Sequence, residues 1–360
     1  MKVMQVIPMF GVAGAEVMCK TLALELNKNN IEVIIVSLYS YYSNLTNEID
    51  SAGVKCYYLD KKRGMDYTVI KKLKKIIEAE KPDVIHNHLY SLKYVVWANK
   101  KTKINVIHTV HNIAKKEAGY VDRILYKQFF KKKNVIPVAL SKNIQESIHE
   151  EYKLPFAEIP IIFNGIDLTK CIEKTNYNIK DKFSIVHIGR FMYQKNHVGL
   201  INAYVEFHKI RPDSELILVG DGELKEQIVE LTKKKQIYEN VKFEGIKDNV
   251  YPILNQSDVF ILPSLYEGMP MTLIEAMATG IPIIATRVGG VGDMLNENNA
   301  LLINCNENEI VDALLRLIDD CELRKNIGEN ARKDSNLFSS KKMMIEYLKL
   351  YKQNSGRGIV

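Results

Sequence analysis

Two segments of this sequence carry residue types that can do chemistry together. One, Glu267-Gly-Met-Pro-Met-Thr-Leu-Ile-Glu275, begins and ends on a carboxylate. The other, Gly189-Arg190-Phe-Met-Tyr-Gln-Lys195-Asn196, places a guanidinium and an ammonium on one short stretch. Arg grips phosphate oxygens in bidentate fashion and Lys adds a compact point charge. Such a pair suits a diphosphate whose negative charge grows as a bond to it breaks; solvated loop charge is the plainer explanation of the same residues. A carboxylate, for its part, can accept two hydrogen bonds from vicinal hydroxyls, as on a ribose or a pyranose. Paired carboxylates also admit glycoside hydrolysis, with acid, base or nucleophile roles. The neighbouring cations favour binding of an anionic donor over hydrolysis of a neutral glycan. Gly268 and Pro270 shape a turn, and Met271, Thr272 and Leu273 open a helix whose first amides would stabilise phosphate oxygens.

A third stretch, Pro8-Met-Phe-Gly11-Val-Ala-Gly14-Ala-Glu16, sets glycines between an apolar run and a helical pattern. It lacks the three spaced glycines of a dinucleotide fingerprint, which disfavours nicotinamide binding. Histidines gather at His86-Asn-His88 and His108-Thr-Val-His111, at the ends of different apolar runs and without adjacent carboxylates. Buried, hydrogen-bonded histidine explains them better than a metal site, for which the ligand set is too thin. His111, just past a strand end, is the better functional candidate.

The elements that must hold these residues are legible as short Val- and Ile-rich runs alternating with helical patterns. Strands are expected at 3–7, 33–37, 54–59, 84–86, 106–109 and 135–140. After residue 170 the pattern restarts, with strands expected at 184–188, 216–219, 241–243, 259–262 and 282–285. Helical segments include 15–27, 67–80, 197–210, 223–235 and 271–279. Continuous rather than alternating hydrophobicity in the strands predicts parallel sheets covered on both faces. The fold class is therefore α/β, with two Rossmann-like domains, 1–170 and 171–338, joined through the polar stretch 169–181 and facing a central cleft. A last amphipathic helix over 339–353, with Met343, Tyr347, Leu350 and Tyr351 along one side, is expected to return to the first domain, so 339–360 is counted with it.

The chain has 360 residues, 46% hydrophobic and 26% charged, and five dispersed cysteines without a Cys-x-x-Cys pair. Those cysteines argue against both a disulfide framework and a zinc site. No apolar run approaches the roughly 20 residues of a membrane span, and the N-terminus reads as a strand; the expected location is cytoplasmic. The net charge of +7 is uneven, with 26 Lys and Arg against 17 Asp and Glu in residues 1–170. Clusters such as Lys61-Lys-Arg63, Lys115-Lys116 and Lys131-Lys-Lys133 are individually explained as solvated faces. Together they suit an anionic partner, either a membrane surface on the inner face of the plasma membrane or a lipid-phosphate acceptor. No recognised motif supports nucleic acid.

At this point the ordered series of motifs resembles the retaining glycosyltransferases of family 4, which have the GT-B fold. The resemblance runs nearly end to end. It takes in Gly14-Ala-Glu16, Pro82-Asp-Val-Ile-His-Asn-His88, Thr109-Val-His111, Ser141 and Phe163-Asn-Gly-Ile-Asp167. It continues through Gly189-Arg190, Lys195-Asn196, Val219-Gly-Asp-Gly222, Phe243-Glu-Gly245, the two-carboxylate segment and Val288-Gly-Gly290. The resemblance implies that Arg190 and Lys195, beside Gly189, hold the donor diphosphate and that Glu275 binds the ribose. It implies that Glu267, with the amides of Gly268, Met269 and Met271, faces the donor sugar. Gly245 and Ile246 fall on the base-binding loop, Gly14 approaches the diphosphate or acceptor, and His111 contacts the donor sugar. The chain departs from the family pattern at Pro270, which has no N–H to offer.

The activity this implies is transfer of a sugar from a nucleotide-diphosphate sugar, UDP-linked by resemblance and GDP- or ADP-linked as alternatives, to a hydroxyl of a glycan or lipid-linked acceptor. Anomeric configuration would be retained, without metal or other cofactor. Arg190, Lys195, Glu267 and His111 are the expected catalytic residues. A hydrolysing nucleotide-sugar 2-epimerase and a non-catalytic sugar-nucleotide-binding partner share the architecture and stand as alternatives.

Overall fold

The computed structural model describes residues 1–11, 13–132 and 134–355. The last five residues of the expected 339–360 segment lie outside the described residues. The chain divides into two compact units, Met1–Ile166 with Ser339–Val360, and Asp167–Phe338.

The first unit contains β1 (Lys2–Ile7), β2 (Glu32–Ser37), β3 (Lys55–Tyr58), β4 (Val84–His88), β5 (Val106–Val110) and β6 (Val135–Ala139). The second contains β7 (Phe183–Ile188), β8 (Ser214–Val219), β9 (Val241–Gly245), β10 (Val259–Leu262), β11 (Ile283–Thr286) and β12 (Leu301–Ile303). Their spatial orders are β3-β2-β1-β4-β5-β6 and β12-β11-β10-β7-β8-β9, and every pairing is parallel. Counted from its own first strand, each sheet has the same order, read from opposite edges. This is the doubly wound arrangement in which strand order reverses once. In the first sheet the reversal falls between β1 and β4, and in the second between β7 and β10.

Burial follows from that topology. The strands β4, β5, β7, β10 and β11 are buried along their whole length, because helices cover both faces of a parallel sheet. The expected strands agree with the observed ones to within two residues at each end. The exception is β12, a three-residue edge strand too short to register as a periodic run.

The polar stretch 169–181 is fastened to the second unit rather than strung free. Lys174 Nζ donates to Asn255 O at 3.1 Å and to Ser257 O at 2.8 Å, and Tyr177 OH donates to Gly280 O at 3.0 Å. Arg324 Nε in turn donates to Tyr177 O at 3.0 Å.

The terminal helix Ser340–Asn354 belongs to the first unit, capped by Ser339. Met343, Tyr347 and Tyr351 lie in the same apolar core as Val3, Ile7 and Leu22, with Leu350 at its margin. Gly165 lets the returning chain approach, since a Cβ there would lie 2.5 Å from Ser339 O. The hydroxyls of the two tyrosines end on the sheet: Tyr351 OH lies 2.6 Å from His86 Nδ1, and Tyr347 OH lies 2.8 Å from Thr109 Oγ1. A buried hydroxyl needs a partner, and these pairings fix which face of the helix turns inward.

Candidate functional site

In open parallel sheets, ligands bind beyond the C-terminal strand ends where strand order reverses. In the second unit the loops leaving β7 and β10 at that point are 189–196 and 263–270, which are the two segments singled out by residue type. The loops are joined along a seam. Leu265 N–H donates to Gln194 O at 2.8 Å. Gln194 Nε2 donates to Tyr266 O at 2.8 Å and to Glu267 Oε2 at 3.2 Å. Asn196 Nδ2 donates to Pro263 O at 3.2 Å, while its side-chain oxygen caps the helix His197–Ile210.

Across the seam, Lys195 Nζ stands 2.6 Å from Glu267 Oε1, with side chains only 14% and 5% exposed. Ser264 Oγ donates to the same carboxylate oxygen at 2.6 Å. Both oxygens of Glu267 are therefore hydrogen-bonded. In so sheltered a place, removing one partner would leave an uncompensated charge at a cost of roughly 3–5 kcal/mol. Two glycines make room for this seam. Gly289, at φ +51°, packs so closely that a Cβ would lie 1.9 Å from Glu267 O, and Gly220, at φ +134°, would place one 2.2 Å from Gly189 O. No residue but Gly fits either place.

The other donor-site candidates distribute unevenly. Arg190 is exposed and forms no ion pair among the described residues. Gly268, Met269 and Met271 are buried at the start of the helix Met271–Thr279. The amides of Met271 and Thr272 have no acceptor among the described residues, as the first turn of a helix requires. The Thr272 hydroxyl is also buried without a partner. Leu273 does not belong with them, because its N–H already donates to Pro270 O at 3.2 Å. Gly245 ends β9 at φ +67° and accepts the Gly220 N–H at 2.8 Å, while Ile246 beside it is exposed.

Glu275 has different surroundings from Glu267. It lies near Tyr251, whose ionisation is pushed upward by burial first and then by this carboxylate. It also lies near Cys171, whose thiol burial raises to about 11 against the pull of a Tyr251 hydrogen bond, with Glu275 adding to the rise. Residue type suggested Arg190, Lys195 and Glu267, but gave no role to Gln194 or Ser264. Only the seam reveals them, because Gln194 works largely through backbone groups.

In the first unit, Gly14 is exposed at the start of the helix Gly14–Lys28, whose cap residue Ala13 supplies no side-chain bond. Val12 lies outside the described residues. The histidines separated in sequence come together, because β4 and β5 are neighbours with Asn87 opposite His108 and His88 opposite Thr109. His86 is held by Tyr351 at Nδ1 and by Thr109 Oγ1 at Nε2, 2.7 Å away. Asn87 Nδ2 donates to His108 Nδ1 at 2.8 Å, and His88 Nδ1 lies 3.2 Å from His111 Nε2. Among the described residues, no group of three or more His, Cys, Asp or Glu is placed to hold a metal.

Burial lowers the affinity of all four rings for a proton, to about 3 for His108 and His111. In the second unit it lowers His187 to about 4 and His197 to about 2. The unfolded chain would take up protons near 6.5 that the folded chain refuses. The stability these rings contribute is therefore full above about pH 6.5 and is lost as the pH falls toward 3. Glu117, raised to about 7 by burial against the pull of the His111 and Asn112 amides, acts in the opposite sense between about 4.5 and 7. Six imidazoles outweigh one carboxyl. Thermal unfolding should move to lower temperature as the pH drops from neutral toward 5, and a flat or rising midpoint would contradict this assignment.

Known proteins give the site its context. The family described as "Glycosyltransferase Family 4" matches residues 12–170, and "Glycosyl transferases group 1" matches residues 171–334. The UDP-Gal:alpha-D-GlcNAc-diphosphoundecaprenol alpha-1,3-galactosyltransferase of Escherichia coli is 30% identical over 274 residues, 69% of each chain. An uncharacterized glycosyltransferase of Methanocaldococcus jannaschii, MJ1178, is 29% identical over 335 residues, 91% of each chain. Among solved structures, Anabaena Alr3699/HepE in complex with UDP and glucose superposes with a TM-score of 0.84 at 17% identity, covering 97% of this chain and 99% of that one. With both halves matched in order and the motif loops at the strand reversals, the chain belongs to glycosyltransferase family 4 and has the GT-B fold.

Proposed function

We propose that this glycosyltransferase moves a sugar from a UDP-linked donor to a hydroxyl of a glycan or lipid-linked acceptor, with retention of anomeric configuration and without a metal ion. The observation that carries the reading is the seam between the loops leaving β7 and β10. There Lys195 is fixed by Glu267, while among the described residues Arg190 is exposed without an ion-pair partner and two helix amides are unshared. Fixed cations and amides that stabilise a departing diphosphate supply the electrostatic share of catalysis, usually the largest one. They do the work, in this reading, that a divalent ion would otherwise do. In this reading Glu275 binds the ribose, Gly245 and Ile246 flank the base, and Glu267 with Gly268 and Met269 borders the sugar. The acceptor hydroxyl attacks from the leaving-group side and passes its proton to a phosphate oxygen. The UDP assignment is supported by the UDP bound to HepE and by the UDP-Gal donor in the name of the E. coli relative.

The acceptor side is proposed to work at an anionic membrane surface on the cytoplasmic face. No helix among the described residues is long and apolar enough to cross a membrane. At the C-terminal end of the first sheet, however, Tyr41, Tyr42, Met65, Tyr67, Tyr120 and Val121 are exposed beside exposed Lys62, Arg63 and Lys115. Contacts link these loops into one rim: Lys61 Nζ to Tyr39 OH at 3.0 Å, Tyr94 OH to Gly64 O at 3.5 Å, and Lys93 to Asp122 at 2.8 Å. Lys61 itself is buried and takes no part in the exposed charge. Aromatic rings among lysines suit the interface of an anionic bilayer. The diphosphoundecaprenol acceptor named for the E. coli relative fits the same surroundings.

Two experiments test these readings. Replacing the exposed Arg190 by Ala should leave unfolding unchanged yet reduce transfer by about 10²–10³. Lys195→Ala should lose both stability and transfer, since it also strands Glu267. Undiminished transfer by both variants, or activity abolished by EDTA in the wild type, would count against the proposal. Separately, the protein should sediment with phosphatidylglycerol vesicles, less so as salt is raised, and not with phosphatidylcholine vesicles. Equal recovery with both lipids would remove the membrane surface as a partner.

A further inference from the structure

We infer that His88 is a positioning residue that sets which nitrogen of His111 carries its proton, so that His111 offers an Nδ1–H donor to a sugar hydroxyl. The inference rests on the proposed function, together with the donor-sugar contact that the family resemblance implies for His111.

The geometry leaves few choices. His88 ends β4, and His111 follows β5, its neighbour in the sheet, so the two rings meet with His88 Nδ1 3.2 Å from His111 Nε2. The His88 ring is fully buried, and among the described residues its Nε2 has no hydrogen-bond partner. On its other side lies the His86 ring, with centroids 4.1 Å apart, itself pinned by Tyr351 and Thr109. Among the described residues His88 therefore has no alternative partner. Both rings of the contact are kept neutral by burial.

Between two neutral imidazoles, one nitrogen donates and the other accepts. If His111 donated from Nε2, the proton of His88 would sit on its own Nε2 as a buried N–H with nothing to receive it. If His88 donates from Nδ1, its Nε2 is only an unused lone pair. Orphaned buried N–H groups are rarer and costlier than under-used acceptors, so the second arrangement holds. His111 then accepts at Nε2 and must carry its proton on Nδ1. That nitrogen makes no hydrogen bond among the described residues, and the residue is half-buried, so the donor is available. A neutral Nδ1–H is suited to binding a hydroxyl oxygen and not to acting as a base at that atom. His88 thus contributes by orienting a partner, as the outer groups around catalytic histidines do.

The direct test is the tautomer itself, read from long-range proton–nitrogen correlations of isotope-labelled histidine in the wild-type protein at neutral pH. His111 is assigned by comparison with His111→Asn. An Nδ1–H signature for His111 is expected; an Nε2–H signature overturns the inference whatever the protein's activity. The second test compares His88→Asn, whose amide can place an N–H where Nδ1 stood, with His88→Leu, which cannot. For His88→Leu, kcat/KM for the sugar nucleotide should fall about tenfold or more, with affinity for the free nucleoside diphosphate unchanged. His88→Asn should recover most of the loss. Equal activity of the two variants, or parallel loss of diphosphate affinity, would show a merely structural role and overturn the inference. If the wild type transfers no sugar at all, the proposed function fails, while the tautomer measurement still decides this point.

Discussion

The ion pair between Lys195 and Glu267 is the contact on which the rest of the second unit's site depends. It joins loops from β7 and β10, which are adjacent in the sheet only because strand order reverses there. The pair is sheltered, and it is supported by Ser264 and Gln194 on the acidic side. Its position is fixed further by two glycines that bring backbone within contact of Glu267 and Gly189. A lysine on a free surface loop would lose rotamer freedom on meeting a phosphate. Here that loss is taken largely during folding, so the cation is already in place. Lys195, Ser264 and Gln194 hold both oxygens of Glu267, which favours a binding role for it over acid or nucleophile chemistry.

The first unit uses the same topology for a different purpose. Its strand ends carry imidazoles and hydroxyls in place of a cation and a carboxylate, and the terminal helix closes over them with Tyr347 and Tyr351. This explains why a segment distant in sequence must return. Without it, His86 Nδ1 would lose the Tyr351 hydroxyl and Thr109 Oγ1 the Tyr347 hydroxyl, leaving the two residues only each other. The basic excess of this half is mostly peripheral, with Lys61 as the instructive exception. Its ammonium is surrounded by Tyr39 and by two backbone carbonyls instead of by a carboxylate.

Much of the fold was legible in the sequence because parallel strands buried on both faces read as unbroken apolar runs. The helix 271–279 was legible because Gly268 and Pro270 shape the turn before it, and the terminal helix because Met343, Tyr347 and Tyr351 recur at helical spacing. The strand β12 was not, since three residues cannot show a period. Within the site, Arg190, Lys195, Glu267 and Glu275 stand out by type, and their motifs by spacing. The bond between Lys195 and Glu267 could not be read, because it spans sequence-distant loops whose meeting depends on sheet order. Ser264, Gln194 and the loss of Leu273 from the amide set were hidden for a related reason. Each depends on a backbone or short side-chain contact rather than on residue type. The histidines were legible as buried groups but not as neighbours, since nothing in their spacing reveals that β4 lies beside β5.

The claim that fixed protein cations and amides hold a donor diphosphate is tested most directly by equilibrium binding in EDTA. UDP and UMP, with GDP and ADP and their monophosphates alongside, would be titrated into the wild-type protein by calorimetry. The account predicts that UDP binds at least about tenfold more tightly than UMP without any divalent ion, a difference of about 1.4 kcal/mol or more. Equal affinity of diphosphate and monophosphate, or binding that appears only when a divalent ion is restored, would contradict it.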